Sequence, residues 1–323
     1  MNYNAITDVP GVKVGHAEDY DAMTGVTVIL VESGATGGID IRGTAAGTRQ
    51  VDSLSPLHIA GTVHAVTLAG GSAFGLAASG GVMRYLEEKG IGLDVFYARV
   101  PIVPSAIIFD LGIGKSAVRP DENMGYAAAG NAKTGPVEEG SVGVGTGATV
   151  GKLYGVKYAT KGGVGTASES LGDVIVGALV VVNAFGDVLD HKNGGIVAGG
   201  LDPEGSGRFV NIAKKLKEGV DRSMPAGQNT TLAVIATNAP LDKREAIKIA
   251  QMAQASLARV ISPIHSTFDG DVVFVLSLCG ETKKVGINTL ALLGEEALFR
   301  SVRNAVTKAD GRGFVPSVSD LSR

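Results

Sequence analysis

Residues 227–236 read Gly-Gln-Asn-Thr-Thr-Leu-Ala-Val-Ile-Ala, a small polar turn that runs directly into an apolar stretch. The stretch Leu232–Ala236 is apolar and holds two β-branched residues, and the pattern predicts a buried strand. Two interpretations of the residues before it stay open at this point. Asn229 and Thr230 are either local hydrogen-bonding residues of an ordinary turn, or the two sides of a peptide bond that the protein itself cleaves.

A self-cleaved Asn229–Thr230 bond would make Thr230 both the nucleophile and the base. Its hydroxyl would attack the preceding carbonyl, and water would then open the resulting ester. The new N-terminus would carry an α-amine whose ordinary pKa of about 8 lets it activate the neighbouring hydroxyl without a histidine. This chemistry suits a chain that is poor in histidine, with five in 323 residues.

Further apolar runs alternate with helical patterns along the chain, and no linker or repeat divides them. Buried strands are predicted at Val26–Val31, Ala65–Leu68, Val174–Val182, Leu232–Ala236 and Val272–Leu278. Helices are predicted at Ser72–Lys89 with Ser72 as N-cap, at Lys243–Val260 after an Asp242/Glu245 capping box, and at 289–309. The glycine-dense segment 140–170 is predicted as loops and hairpins. Together these patterns indicate one layered α/β domain.

The composition excludes several classes of protein. The chain has 323 residues, 45% of them apolar, so it can bury a sizeable core and is not disordered. A net charge of −3 offers no electrostatic surface for nucleic acid or an anionic membrane. The apolar run Val174–Val182 is too short to span a bilayer, no signal peptide is visible, and the single Cys279 cannot form an internal disulfide. We therefore expect a cytoplasmic protein without nucleic-acid or membrane partners.

Familiar nucleotide-binding and hydrolase motifs are incomplete in this sequence. The segment Gly145–Lys152 lacks the first glycine of a phosphate loop, and Leu153 stands where a hydroxyl residue should follow the lysine. Ala148 interrupts the dinucleotide-binding glycine pattern. The segment Gly70–Gly75 lacks the second glycine of the Gly-x-Ser-x-Gly turn.

Two acidic groups could hold a hard cation in principle. One comprises Asp187, Asp190 and His191, and the other comprises Asp269 and Asp271. The simpler interpretation is that these carboxylates cap turns or accept backbone hydrogen bonds. No metal and no organic cofactor is therefore expected.

Six segments occur together in an order that is specific to a known family: Thr7–His16, Gly70–Leu76, Pro101–Pro104, Lys161–Ser168, Val182–Asp187 and Asn229–Leu241. With them the chain resembles, over almost its whole length, the L-aminopeptidase/D-esterase family, which includes D-aminopeptidases, β-peptidyl aminopeptidases and a pantetheine hydrolase. The resemblance implies a four-layer αββα sandwich, similar in architecture but not in connectivity to the N-terminal nucleophile hydrolases. It also implies a single-domain precursor, 1–323, that cuts itself into residues 1–229 and 230–323.

The resemblance carries roles to individual residues. The nucleophile falls on Thr230, and the residue before the cut falls on Asn229. The oxyanion-stabilising asparagine falls on Asn183, at the end of its strand. The family's hydroxyl-x-carboxylate pair matches Thr267 and Asp269.

Two positions are less closely matched. Asp271 is an alternative to Asp269 as the functional carboxylate, and Tyr158 is a loose match to a tyrosine near the substrate. No site residue is expected to bind a cofactor or a metal.

The expected function is that of a self-processing aminopeptidase, which releases N-terminal residues from small peptides, amides or esters. An acyltransferase of the ornithine acetyltransferase type shares the architecture and the threonine nucleophile. A third alternative is an unprocessed small-molecule binding protein of the same fold. The resemblance further implies a homo-oligomer, commonly a tetramer, and leaves the substrate's stereochemistry undefined among L-, D- and β-amino acids.

Overall fold

A computed structural model describes residues 2–221, 229–278 and 284–321. Within these ranges the strands are β1 (Lys13–Asp19), β2 (Thr24–Ile41), β3 (Thr48–Arg49), β4 (Val63–Ala69), β5 (Leu93–Asp94), β6 (Arg99–Val100), β7 (Ser105–Ile107), β8 (Thr149–Val150), β9 (Thr160–Lys161), β10 (Gly163–Leu171), β11 (Val174–Asn183), β12 (Asp187–Leu189), β13 (Ile196–Ala198), β14 (Thr230–Thr237), β15 (Ile261–Ser262) and β16 (Val272–Ser277). The α-helices there are α1 (Ala78–Glu88), α2 (Glu122–Gly130), α3 (Ile212–Lys217), α4 (Lys243–Leu257), α5 (Ile287–Thr307) and α6 (Val318–Leu321). Gly227 and Gln228, the first two residues of the polar turn described above, lie outside the described residues, as does Cys279.

The long strand β2 belongs to two halves of the main sheet. The strand order is β10-β11-β14-β16-β2-β4-β7-β3, and β1 pairs with β2 on the side. The first part of β2 pairs with β1 and β4, whereas its last residues, Thr36–Ile41, pair with β16. The register shifts between Leu30 and Ala35, where the strand passes from one half to the other. We call the two parts the β4 half and the β14 half.

Alternating side chains of the two halves build three apolar layers. Ile29 of the β4 half shares a buried cluster with Val181 and Val234 of the β14 half, so these inner faces pack against each other. The opposite face of the β14 half, with Val180 and Ala233, packs on α4 and α5. The opposite face of the β4 half packs on α1 and α2. The order is helices, sheet, sheet, helices, which confirms the predicted αββα sandwich.

The helix predictions hold with one exception. The capping box of α4 is present, with Asp242 Oδ1 2.8 Å from the Glu245 N–H and Glu245 Oε2 2.9 Å from the Asp242 N–H. Ser72 is not the cap of α1, because it has a left-handed φ of 56° and opens a 3₁₀ turn that ends at Ala77. The helix proper begins at Ala78.

The segment 140–170, predicted as loops and hairpins, includes strand β10, which forms an antiparallel hairpin with β11. The glycines of β10 do not form a turn; they allow helix α5 to pack closely on the strand. A Cβ on Gly165 would lie 2.0 Å from the Ser301 carbonyl oxygen of α5, and one on Gly163 would lie 2.6 Å from the Ala305 carbonyl oxygen. Glycine in a strand interior often marks a site where another backbone approaches closely.

No helix in the described ranges combines the length and the apolar character that a membrane crossing requires.

Candidate active site

Three strand ends meet at one edge of the β14 half. Strand β14 begins at Thr230, its parallel neighbour β16 begins at Val272, and its antiparallel neighbour β11 ends at Asn183. Asn183 lies directly opposite Thr230, so the two side chains project from the same face of the sheet. The strand pattern of the sequence therefore places these two predicted site residues side by side.

The Thr230 hydroxyl lies against the peptide bond that precedes it. Thr230 is 2% exposed, and its Oγ1 donates to the Asn229 carbonyl oxygen at 2.5 Å. The same oxygen accepts the Gly270 N–H at 2.9 Å. The hydroxyl that would attack and the carbonyl that would be attacked are thus already in contact.

A buried lysine that the sequence analysis treated only as part of a failed phosphate loop joins this cluster. Lys152 Nζ lies 2.6 Å from Asn183 Oδ1 and 3.0 Å from the Asn183 carbonyl oxygen. The Asn183 amide nitrogen donates to the Phe109 carbonyl at 3.1 Å, and Oδ1 also accepts the Thr149 N–H. Both ends of the Asn183 side chain are therefore engaged, and its oxygen end orients a cation beside the strand ends.

Asp269 is next to Asn229, because the two residues form an isolated parallel β-bridge. It is 1% exposed, and its carboxylate accepts the Ser266 hydroxyl and the backbone N–H groups of Ser266 and Phe185. Burial, and then the like charge of Asp271, raise the pKa of Asp269 to about 6, while the Ser266 hydrogen bond and Lys152 act in the opposite direction. A carboxyl group with such a pKa can exchange protons near neutral pH.

The hydroxyl that accompanies Asp269 belongs to Ser266, not to Thr267. The Thr267 side chain is exposed, and its backbone carbonyl accepts the Thr44 hydroxyl at 3.0 Å. The structure therefore places Asp269 in the cluster and Thr267 at its outer surface. A catalytic role of Thr267 stays a prediction without a contact to support it.

Asp271 holds the start of strand β14 in position. Its Oδ1 accepts the Thr231 N–H at 2.7 Å, and its Oδ2 accepts the His265 N–H at 3.0 Å and faces His265 Nδ1 at 2.9 Å. Burial lowers the pKa of His265, but the hydrogen bond and the charge of Asp271 outweigh it, so the pKa is raised overall. Asp271 thus fixes Thr231, the residue next to Thr230.

The two acidic groups considered for a cation are occupied by protein donors. Asp269 and Asp271 receive the contacts above, and Asp187 accepts the Gly200 and Ile212 N–H groups at 3.0 and 2.7 Å. In the parts of the chain that the structure describes, no three His, Cys, Asp or Glu side chains are grouped for metal binding. Tyr158 packs edge-on against Tyr154, and its predicted role stays untested.

Comparison with known proteins defines the family. The model of "Peptidase family S58" matches residues 4–314. The chain belongs to peptidase family S58. This membership confirms the predicted hydrolase and the predicted family relationship.

Similar proteins are consistent with this assignment. An uncharacterized aminopeptidase of Mycobacterium leprae is 43% identical over 97% of this chain and 93% of its own length. A 6-aminohexanoate-oligomer endohydrolase of Kocuria sp. is 34% identical over 84% of this chain and 74% of its own length. The solved structure of the L-aminopeptidase D-Ala-esterase/amidase of Ochrobactrum anthropi, a variant of the Ntn hydrolase fold, superimposes with a TM-score of 0.73. That likeness, at 22% identity over 99% of this chain and 93% of the other, concerns the fold.

Proposed function

We propose that the protein is a self-processing aminopeptidase that cleaves its own Asn229–Thr230 bond and then uses Thr230 as the nucleophile. The observation that carries the proposal is the contact between Thr230 Oγ1 and the carbonyl oxygen of Asn229. Thr230 is buried, so its hydroxyl is held against the preceding peptide and away from bulk water.

Self-cleavage would proceed through an ester. Thr230 Oγ1 bonds to the Asn229 carbonyl carbon, the bond from that carbon to the Thr230 nitrogen breaks, and the hydroxyl proton ends on that nitrogen. Asp269 is the proposed proton carrier, because it adjoins Asn229 and its pKa is close to neutrality. Water then hydrolyses the ester and leaves an Asn229 carboxylate and a free Thr230.

In later turnovers the freed α-amine of Thr230 would serve as the base for its own hydroxyl. The substrate amide is attacked, an acyl-enzyme forms on Oγ1, and the amine passes the proton to the leaving group before water releases the acid. Lys152 supports this site electrostatically, since its ammonium is held by Asn183 opposite the nucleophile. For Asn183 to donate to a substrate oxyanion, its amide nitrogen would have to leave the Phe109 carbonyl.

The substrate class follows from the relatives' names rather than from a cavity in this chain. The Mycobacterium leprae relative is named an aminopeptidase, and the Kocuria relative is named for hydrolysis of 6-aminohexanoate oligomers, whose units are joined by amide bonds. We infer that this protein hydrolyses amide bonds of small peptides or oligomeric amides. Oligomer assembly and cytoplasmic location stay predictions.

The intact mass of the purified protein under denaturing conditions tests the proposal. We expect two chains whose masses correspond to residues 1–229 and 230–323, and hydrolysis of amino-acid amides by the same preparation. A single chain that stays full length for days at neutral pH would contradict self-processing. Amide loss that added amino acids accelerate beyond hydrolysis would favour the acyltransferase alternative.

The pH dependence of self-cleavage should report Asp269. The carboxylate takes up a proton only when ionised, so the rate should fall about tenfold per pH unit below about 6, the pKa of Asp269. Ser266→Ala removes a hydrogen bond that lowers this pKa, so the acid limb should move to higher pH. Thr267→Ala is the matched control, because its exposed side chain should leave the limb in place. A rate that is flat between pH 5 and 7 would exclude Asp269 as the proton carrier.

A further inference from the structure

The geometry points to the backbone N–H of Gly270 as the group that stabilises the oxyanion during self-cleavage. The inference rests on the proposed self-processing and assigns it a donor that the sequence analysis did not consider. Gly270 stands between Asp269 and Asp271, and its N–H lies 2.9 Å from the Asn229 carbonyl oxygen. That distance is within the range at which preorganised donors stabilise a developing oxyanion.

During attack, the negative charge of the tetrahedral intermediate develops on the Asn229 carbonyl oxygen and on no other atom of the reacting peptide. When Thr230 Oγ1 bonds to the Asn229 carbonyl carbon, the carbonyl π electrons move onto the oxygen, and the hydroxyl proton leaves for Asp269. Collapse of the tetrahedral intermediate restores the carbonyl and breaks the bond to the Thr230 nitrogen, which takes the proton. The products are the Asn229–Thr230 ester and a free α-amine, so atoms and electrons balance.

Two groups of the described residues donate to the Asn229 carbonyl oxygen, and of these Gly270 is the one that keeps its proton, and its hydrogen bond, during the attack. The Thr230 hydroxyl also donates to this oxygen, but it loses its proton as it becomes the nucleophile. Asn183, the donor expected from the family resemblance, gives its amide nitrogen to the Phe109 carbonyl in this precursor. Of these three groups, the Gly270 N–H is therefore the one that stays hydrogen-bonded to this oxygen in the intermediate.

The turn that carries Gly270 is held by the segment that follows strand β2. The Arg42 N–H donates to the Asp271 carbonyl at 3.1 Å, and the Ala45 N–H donates to the Asp269 carbonyl at 3.0 Å. Between them Gly43 packs on the turn so closely that a Cβ there would lie 2.4 Å from the Asp269 carbonyl oxygen. The N–H is thus fixed in direction before the reaction, which is what makes an oxyanion donor effective.

Replacing Gly270 with glycolic acid, by codon suppression in cell-free translation, converts its N–H into an ester oxygen and tests the assignment directly. We expect the rate of self-cleavage, followed by intact mass, to fall about 10²–10³-fold, as for loss of one oxyanion donor in other hydrolases. The matched control is glycolic acid at Gly43, whose N–H makes only a long 3.5 Å contact with the Asp271 carbonyl. This control should cleave within about threefold of the parent chain. Equal cleavage of the Gly270 ester and the parent would overturn the assignment.

A second pair of variants uses ordinary alanine substitutions to test whether the segment after β2 holds the turn that carries Gly270. Gly43→Ala places a Cβ against the turn and should slow cleavage, whereas Gly61→Ala meets no atom within 4 Å and should not. Thermal melting of both variants separates a displaced turn from a loss of fold, and the ester pair decides if Gly43→Ala does not fold. A parent chain that never cleaves overturns the proposed function as well, whereas a cleaving parent with a fast Gly270 ester overturns only the role of Gly270.

Discussion

Thr230→Ala should leave a full-length chain without amide hydrolysis. The substitution removes the hydroxyl that lies 2.5 Å from the Asn229 carbonyl oxygen, so neither the ester nor the new N-terminus can form. In other hydrolases, loss of the nucleophile lowers kcat by on the order of 10⁶-fold, and we expect activity here to fall to the buffer background. Intact mass and the initial rate on an amino-acid amide measure the two effects.

Two neighbouring variants control for damage to the strand. Thr230→Ser keeps a hydroxyl at the same place and should still cleave. Thr231→Val changes the next residue, whose buried Oγ1 has no hydrogen-bond partner among the described residues, so cleavage and activity should be close to those of the parent. A cleaved, active Thr230→Ala variant would show that the nucleophile is another residue.

The strand that carries Thr230 could be predicted from the sequence because its signals are local, whereas the proposed nucleophile role of Thr230 came from the family resemblance. The apolar run Leu232–Ala236 predicts the strand, and in the structure strand β14 starts two residues earlier, at Thr230. Its neighbour Asn183 ends the other long apolar run, and the two runs pair in the structure. The strand and helix patterns predicted only a layered α/β domain, in which each apolar strand face needs a packing partner. The order of the αββα layers came from the family resemblance.

The remaining site residues depend on contacts that sequence spacing does not encode. Lys152 follows a glycine in a loop, and nothing in the adjacent residues shows that Asn183, across the sheet, accepts its ammonium group. The choice between Ser266 and Thr267 depends on the direction in which a turn presents each hydroxyl. The role of Gly270 is carried by a backbone N–H, which every non-proline residue has. One signal was available, because a lysine without a nearby acidic residue inside a glycine-rich, apolar segment is expected to need a buried partner.

Lys152→Met should lower the hydrolysis rate at pH 7 by about 10²-fold, in the range found when one group that stabilises developing charge is lost. The ammonium group of Lys152 is buried, donates to Asn183, and opposes the effects of burial and of Asp271 on the pKa of Asp269. Without the cation the pKa of Asp269 should rise above about 6, so the acid limb of self-cleavage should move to higher pH. The full pH–rate profile measures this shift, which a purely structural role would not produce.

The chain offers a second buried lysine as the matched control. Lys161 Nζ donates to the carbonyl oxygens of Gly145, Ala148 and Gly162 at 2.8–2.9 Å, and burial lowers its pKa to about 7. Lys161→Met leaves those three carbonyls without their donor, so we expect it to lower the melting temperature, as we also expect for Lys152→Met. It should not move the acid limb, because the charged carboxylate that acts on Lys161 is first of all Asp110 rather than Asp269. Equal pH profiles for both variants would reduce Lys152 to a packing residue, whereas a shift confined to Lys152→Met would place its charge in the chemistry of the Asn229–Thr230 bond.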